Sequence, residues 1–213
     1  MLYAARQRFE KLSVGIGLLF SRIPLSPNQW TIVSLVPAIA AAYFLAKEQF
    51  LSAAALFIIA SFIDLVDGSV ARVTGSVSRF GAYLDTIVDR YVEALIVLAL
   101  LFLALPSVYM PINAWIFIYF FGAMMTTYAK AAAKEKEIVR EGSELKGGAL
   151  ERAERLIILF VGIVLASYNK TFLSIVIILL AVLSNVSALQ RISIARRTAR
   201  PAKAGNAKKR KNK

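Results

Sequence analysis

The sequence predicts an all-α, polytopic membrane protein with six transmembrane helices and an N-terminal amphipathic helix lying in the interface. Three observations predict it. Hydrophobic residues make up 58% of the 213 positions, and the mean hydropathy of +0.64 is too high for a water-soluble core under a polar coat. Six apolar stretches of about 20 residues, the length a bilayer requires, are separated by polar breaks. The cations are also unevenly placed along the chain.

The opening segment, 1–20, reads as the interfacial helix, with Leu2, Phe9 and Leu12 set against Arg6, Arg8 and Lys11. It lacks the early apolar run and small-residue cleavage site of a signal peptide, so none is expected. The expected spans are 28–46, 50–72, 81–105, 111–133, 152–168 and 171–192. In lipid they must be helices, because only a helix satisfies every backbone group within one segment. The connections "KEQF", "TGSVSR", "PSVYMP" and "NKT" are short, and only 134–151 is a sizeable polar loop, with a Gly-Gly pair that marks a turn. The chain therefore divides into 1–20 (interfacial helix), 21–195 (membrane domain) and 196–213, a basic tail with no apolar periodicity that is expected to be disordered.

Six spans put both termini on one side. That side collects 24 of the 26 Lys and Arg residues, leaving Lys47 and Lys170 opposite. The positive-inside bias makes this a multi-pass protein of the cell membrane with both termini cytoplasmic. The same distribution answers for the net charge of +13: leader and tail are expected to meet anionic lipid headgroups, not nucleic acid. The absence of Cys excludes disulfides, thiolate metal sites and a cysteine nucleophile. The absence of His removes the commonest neutral-pH base. Acid–base chemistry is left to carboxylates, Lys, Tyr or a metal-bound group.

All four aspartates of the chain, Asp64, Asp67, Asp85 and Asp89, fall within one stretch of 26 residues. Asp64 and Asp67 share a helical face with Ala71. Asp85 and Asp89 lie one turn apart on the next helix, after Gly81. Unpaired, four carboxylates at the ends of two membrane helices are unfavourable by several kcal/mol each. Three readings are open: salt bridges to Arg72, Arg79 and Arg90, an ion or proton pathway, and a site for hard divalent cations that share oxygen ligands with substrate phosphates. The third suits the pattern best, since Gly68 and Gly81 leave room for substrate and Arg72 can fork onto a phosphate.

The pattern Asp64-x2-Asp67-Gly68-x2-Ala71-Arg72-x8-Gly81-x3-Asp85-x3-Asp89 resembles the complete signature of the CDP-alcohol phosphotransferases (class I CDP-alcohol phosphatidyltransferases), with "SPNQWT" at 26–31 as members commonly have. The resemblance implies cleavage of a CDP-linked alcohol, release of CMP and joining of the remaining moiety to an acceptor hydroxyl. It implies that Asp64, Asp67 and Asp85 ligate two divalent cations, Mg2+ with Mn2+ as the alternative, that Asp89 joins the second metal, and that Asp89 takes the acceptor's proton. It further implies that Gly68, Ala71, Arg72, Ser78 and Gly81 form the CDP-alcohol site and that the chain is a homodimer. Asn28 and Thr31 either reach the nucleotide or simply begin a helix after the Ser26-Pro27 cap.

For the acceptor, Arg152 and Arg155 open the fifth span, Lys130 and Lys134 close the fourth, and Arg191 closes the sixth. Each can be an ordinary positive-inside anchor, and Glu151 and Glu154 can pair with them locally. An acceptor carrying its own phosphate would need such a second cationic pocket. "ERAERLIIL" also resembles the members that use inositol phosphate, the phosphatidylinositol-phosphate and archaeal archaetidylinositol-phosphate synthases. By that resemblance Arg152 and Arg191 bind the acceptor phosphate, together with Lys130 or Lys134, while Arg155 can be structural. The expected reaction is transfer from a CDP-linked lipid donor to inositol phosphate. The rivals are a glycerol 3-phosphate acceptor, a CDP-inositol donor giving di-inositol phosphate, and, in a different class, a cation or proton transporter.

Overall fold

The structure is a computed structural model that describes residues 2–139 and 147–199, with side chains from Lys11 onward. The expectations for Leu2, Arg6, Arg8 and Phe9 as side chains, for the middle of the polar loop and for 200–213 lie outside the described residues. Among the described residues eight helices occur: α1 (Leu2–Phe20), α2 (Pro27–Val33), α3 (Leu35–Ala46), α4 (Phe50–Val73), α5 (Arg79–Leu100), α6 (Ile112–Glu135), α7 (Arg152–Ala166) and α8 (Lys170–Thr198). No strand occurs among the described residues.

Among the described residues, four segments are long and apolar enough to cross a membrane: Pro27–Ala46, Phe50–Val73, Ile112–Glu135 and Lys170–Thr198. These are helices of a membrane protein. Six were expected, and the other two are helical but differ for physical reasons. α5 has the length, at 22 residues, but carries Arg79, Asp85, Asp89, Arg90 and Glu93. α7 has only 15 residues. Within α5, Arg90 and the fully buried Glu93 form an ion pair at 2.6 Å, the pairing that a charge in an apolar setting needs.

The expected first span is divided. Ser26 caps α2 and Pro27 occupies its first position, and the Gln29 side chain accepts from the Ser26 amide at 2.7 Å, completing a capping box. The helix breaks at Ser34, where α3 starts. Pro37, three residues on, has no N–H for the Val33 carbonyl.

The chain forms two compact units. The first comprises Met1–Pro106 and Phe160–Leu173, the second Ser107–Leu159 and Ser174–Lys213. In the first unit α1, α2 and α3 pack on α4, and α5 packs on α2 and α3. Gly17 lets α1 approach closely: a Cβ there would lie 2.5 Å from the Ser69 carbonyl and 2.6 Å from Val73, so no larger residue fits. Trp30, Val66 and Val70 form a buried cluster, with Phe20 edge-on to Trp30 at 5.5 Å between ring centroids. At the start of α4, Glu48 pairs with Lys170 at 2.6 Å. In the second unit α6 and α8 meet at Gly122. Asn185 occupies the space a side chain would take there and donates to the carbonyls of Ile118 (2.9 Å) and Ala181 (2.8 Å).

Candidate active site

The turn between α4 and α5 positions the aspartates. Thr74 ends α4, Gly75 follows at φ +66°, and the Ser76 amide reaches back to the Ala71 carbonyl at 3.0 Å. This is the 6→1 bond of a Schellman ending, and its left-handed position suits glycine. Ser78 then caps α5, accepting from the Gly81 amide at 2.9 Å. Two cap motifs within five residues thus fold "TGSVS" into a tight reversal.

The reversal brings Asp64 and Asp67 of α4 together with Asp85 of α5. One carboxylate oxygen from each lies within 4.8 Å of the others. Asp89, one helical turn beyond Asp85, is not in this group of three. An all-oxygen donor set at this spacing fits a hard divalent cation. Asp67 is buried and accepts a hydrogen bond from the Thr31 hydroxyl, which also donates to the Pro27 carbonyl at 3.1 Å. Thr31 thereby ties α2 to the carboxylate and fixes its orientation.

Beside the carboxylates lies a cavity of about 360 Å³. Asp67 and Asp85 line it, as do Asn28 and Thr31 of α2, Gly68, Ala71 and Arg72 of α4, and Ser78 and Gly81 at the start of α5. A Cβ at Gly81 would sit 3.1 Å from both the Asn28 amide oxygen and the Ser78 hydroxyl, so a larger residue there would push into the cavity wall. Ser78, expected in the donor site, is both wall and helix cap. Arg72 is propped from behind: one Nη donates to Ser13 of α1 at 2.6 Å and to Ser69 at 3.3 Å, and the two hydroxyls lie 2.8 Å apart. Sequence reasoning missed Ser13 and Ser69. Ser69 stands one turn before Arg72 and could have been suspected, whereas Ser13 is distant in sequence and only the packing of α1 brings it in.

The second unit holds the cations expected for the acceptor. Arg191 is buried and anchored twice, donating to the Thr126 carbonyl at 2.6 Å and the Gly147 carbonyl at 3.0 Å. Its other Nη and the Lys130 ammonium each lie 2.9 Å from the same Glu151 oxygen. Partial burial disfavours the Glu151 anion. The Lys130 hydrogen bond and the Arg191 charge outweigh that burial and hold its carboxyl below the usual value. Arg155, 1% exposed, donates to the Thr126 hydroxyl at 3.1 Å and so packs inside the unit. Arg152 begins α7 and is half-buried, while Lys134, a turn beyond Lys130, is exposed.

The chain is similar to known proteins over most of its length. Residues 25–192 match the family model described as CDP-alcohol phosphatidyltransferase. The archaetidylinositol phosphate synthase of Pyrococcus horikoshii is 29% identical over 194 residues, covering 90% of this chain and 95% of the relative. The crystal structure of Mycobacterium tuberculosis phosphatidylinositol phosphate synthase with CDP-DAG bound superposes with a TM-score of 0.75 at 27% identity, covering 87% of this chain and 94% of that one. The same enzyme in complex with manganese and citrate gives 0.76 at 27% identity, with 86% and 88% covered. With the aspartate group, the glycine-walled cavity and a family match over most of its length, the chain belongs to the CDP-alcohol phosphatidyltransferase family.

Proposed function

We propose that the protein transfers the lipid-phosphate moiety of a CDP-linked lipid to inositol phosphate and releases CMP. The observation that carries the reading is the group formed by Asp64, Asp67 and Asp85, of which Asp67 and Asp85 stand on the wall of a cavity also lined by the signature residues Gly68, Ala71, Arg72 and Gly81. The relatives' names, archaetidylinositol and phosphatidylinositol phosphate synthase, support the choice of acceptor.

In this reading Asp64, Asp67 and Asp85 hold two Mg2+ ions, with Mn2+ as a substitute and Asp89 on the second ion. When bound, such ions neutralise the pyrophosphate and stabilise CMP as it leaves. Arg72, held by Ser13 and Ser69, presents a fixed guanidinium to the donor's phosphates. Gly68, Ala71 and Gly81 keep the wall low enough for the nucleotide, which Asn28 and Ser78 contact. Asp89 accepts the proton of the acceptor hydroxyl as its oxygen attacks the β-phosphorus. The bond from that phosphorus to the bridging oxygen breaks, and CMP carries the electron pair away. Arg152, Arg191 and Lys130 or Lys134 bind the acceptor's own phosphate. The catalytic domain is 21–195. It crosses the cell membrane six times, with α1 on the interface and both termini and the site in the cytoplasm, as a homodimer. The cation asymmetry of the sequence supports that orientation.

The test is CMP release by purified protein with Mg2+ and a CDP-lipid, comparing inositol phosphate, glycerol 3-phosphate and free inositol. We expect release with inositol phosphate and a loss of at least about 100-fold in Asp89→Asn, the scale of removing a general base. Release with glycerol 3-phosphate alone would overturn the acceptor assignment. Cation uptake without CMP release would overturn the enzyme reading.

A further inference from the structure

Glu151 does something that a positive-inside anchor or a helix start does not require. It stands at the N-cap position of α7: its carbonyl accepts from the Arg155 amide at 3.2 Å, and its own amide is held by the Glu154 carboxylate at 2.8 Å. Its side chain does not cap the helix. It extends to the two cations, with one oxygen 2.9 Å from both Lys130 Nζ and Arg191 Nη2. Arg191 cannot turn elsewhere, because its Nη1 and Nε are committed to the Thr126 and Gly147 carbonyls. The remaining edge of a buried guanidinium thus faces an anion supplied by the chain itself. The Glu151 side chain is 48% exposed while that of Arg191 is 3% exposed. The carboxylate can therefore swing out to water, whereas the arginine stays.

We propose that the Glu151 carboxylate is a built-in occupant of the acceptor-phosphate subsite, displaced by a phosphate-bearing acceptor, and so sets selectivity for phosphorylated acceptors. The inference rests on the acceptor reading above. A phosphate brings up to two charges and three oxygens to the cation pair, against one charge from the carboxylate, and wins the exchange. A neutral polyol offers nothing to replace Glu151 and leaves the pair closed. Weak monoanions compete with it on roughly equal terms and gain little.

The experiment uses the full chain in detergent. Calorimetry without donor measures binding of inositol phosphate and of inorganic phosphate, and steady-state CMP release separates KM from kcat. Glu151→Gln keeps the shape and removes the charge, and Glu151→Ala guards against a glutamine that still holds the cations. We expect both variants to bind both phosphates roughly threefold to tenfold more tightly, the scale of releasing two partly exposed ion pairs. KM for inositol phosphate should fall by the same factor with kcat little changed. Unchanged or weaker phosphate binding in both variants, beside a wild type that binds and turns over inositol phosphate, would overturn the role of Glu151 alone. A wild type that neither binds inositol phosphate nor releases CMP with it would overturn the acceptor reading, and the role of Glu151 with it.

Discussion

At the scale of single residues, the hydroxyl of Thr31 separates two explanations of the segment that opens the membrane region. Its bond to Asp67 makes it a partner of a carboxylate and not only a helix starter. Thr31→Val keeps the shape and volume and removes the donor. Partners of this kind typically matter 10- to 100-fold. We expect CMP release to fall about tenfold at saturating donor, with the Mg2+ requirement moving to higher concentration and Thr31→Ser restoring most of both. A valine variant with unchanged metal dependence would reduce Thr31 to packing. The aspartates themselves were legible because their spacing and their confinement to one stretch are sequence properties. The support behind them was not: Thr31 to Asp67 and Ser13 to Arg72 are contacts between helices 36 and 59 positions apart, and no local periodicity encodes such pairs.

At the scale of elements, the helix positions were largely readable, since each apolar stretch became a helix. The division at Ser34 was not anticipated, although Pro37 was visible as its cause. Nor was the shortness of α7, where the apolar run includes Ser167 and Tyr168, which lie in the turn beyond the helix. The N-terminus of α7 also carries a pH dependence. Glu151 has its carboxyl held below its ordinary 4.5 by Lys130 and Arg191 against the effect of burial. A group depressed on folding stabilises the native state above its unfolded pKa, and that contribution fades as pH falls through the folded one. Because the pairs are partly exposed, the contribution is at most about 1 kcal/mol. Thermal unfolding in detergent should therefore show Glu151→Gln slightly less stable than wild type at neutral pH, with the gap closing below pH 4.5. A gap that does not narrow at all as pH falls below 4.5 would assign the stabilisation to something other than the charge. The same substitution is expected to tighten phosphate binding, so stability and acceptor affinity pull in opposite directions at this residue.

For the whole molecule, exposed apolar side chains such as Val36, Leu51, Phe102, Phe117 and Leu189 are unfavourable in water and at home in lipid. The orientation proposed from charge can be read directly because the chain has no cysteine. A cysteine placed at Asn169, in the turn before α8, should react with an impermeant maleimide on intact cells. One placed at Glu137, just beyond α6, should react only after the membrane is opened. The reverse pattern would invert the protein.

The hold of Ser13 on Arg72 has a mechanical consequence. The guanidinium that lines the cavity beside the aspartates is fastened to the first helix of the chain by a bond of 2.6 Å, and that helix lies against α4 at Gly17 with no slack for a side chain. A displacement of α1 by even an ångström must either break that bond or drag the arginine with it. The first helix is thus a lever with its short arm at the cavity beside the aspartates. Whatever presses on its exposed leucines, Leu12, Leu18 and Leu19, is felt by the arginine on the wall of that cavity.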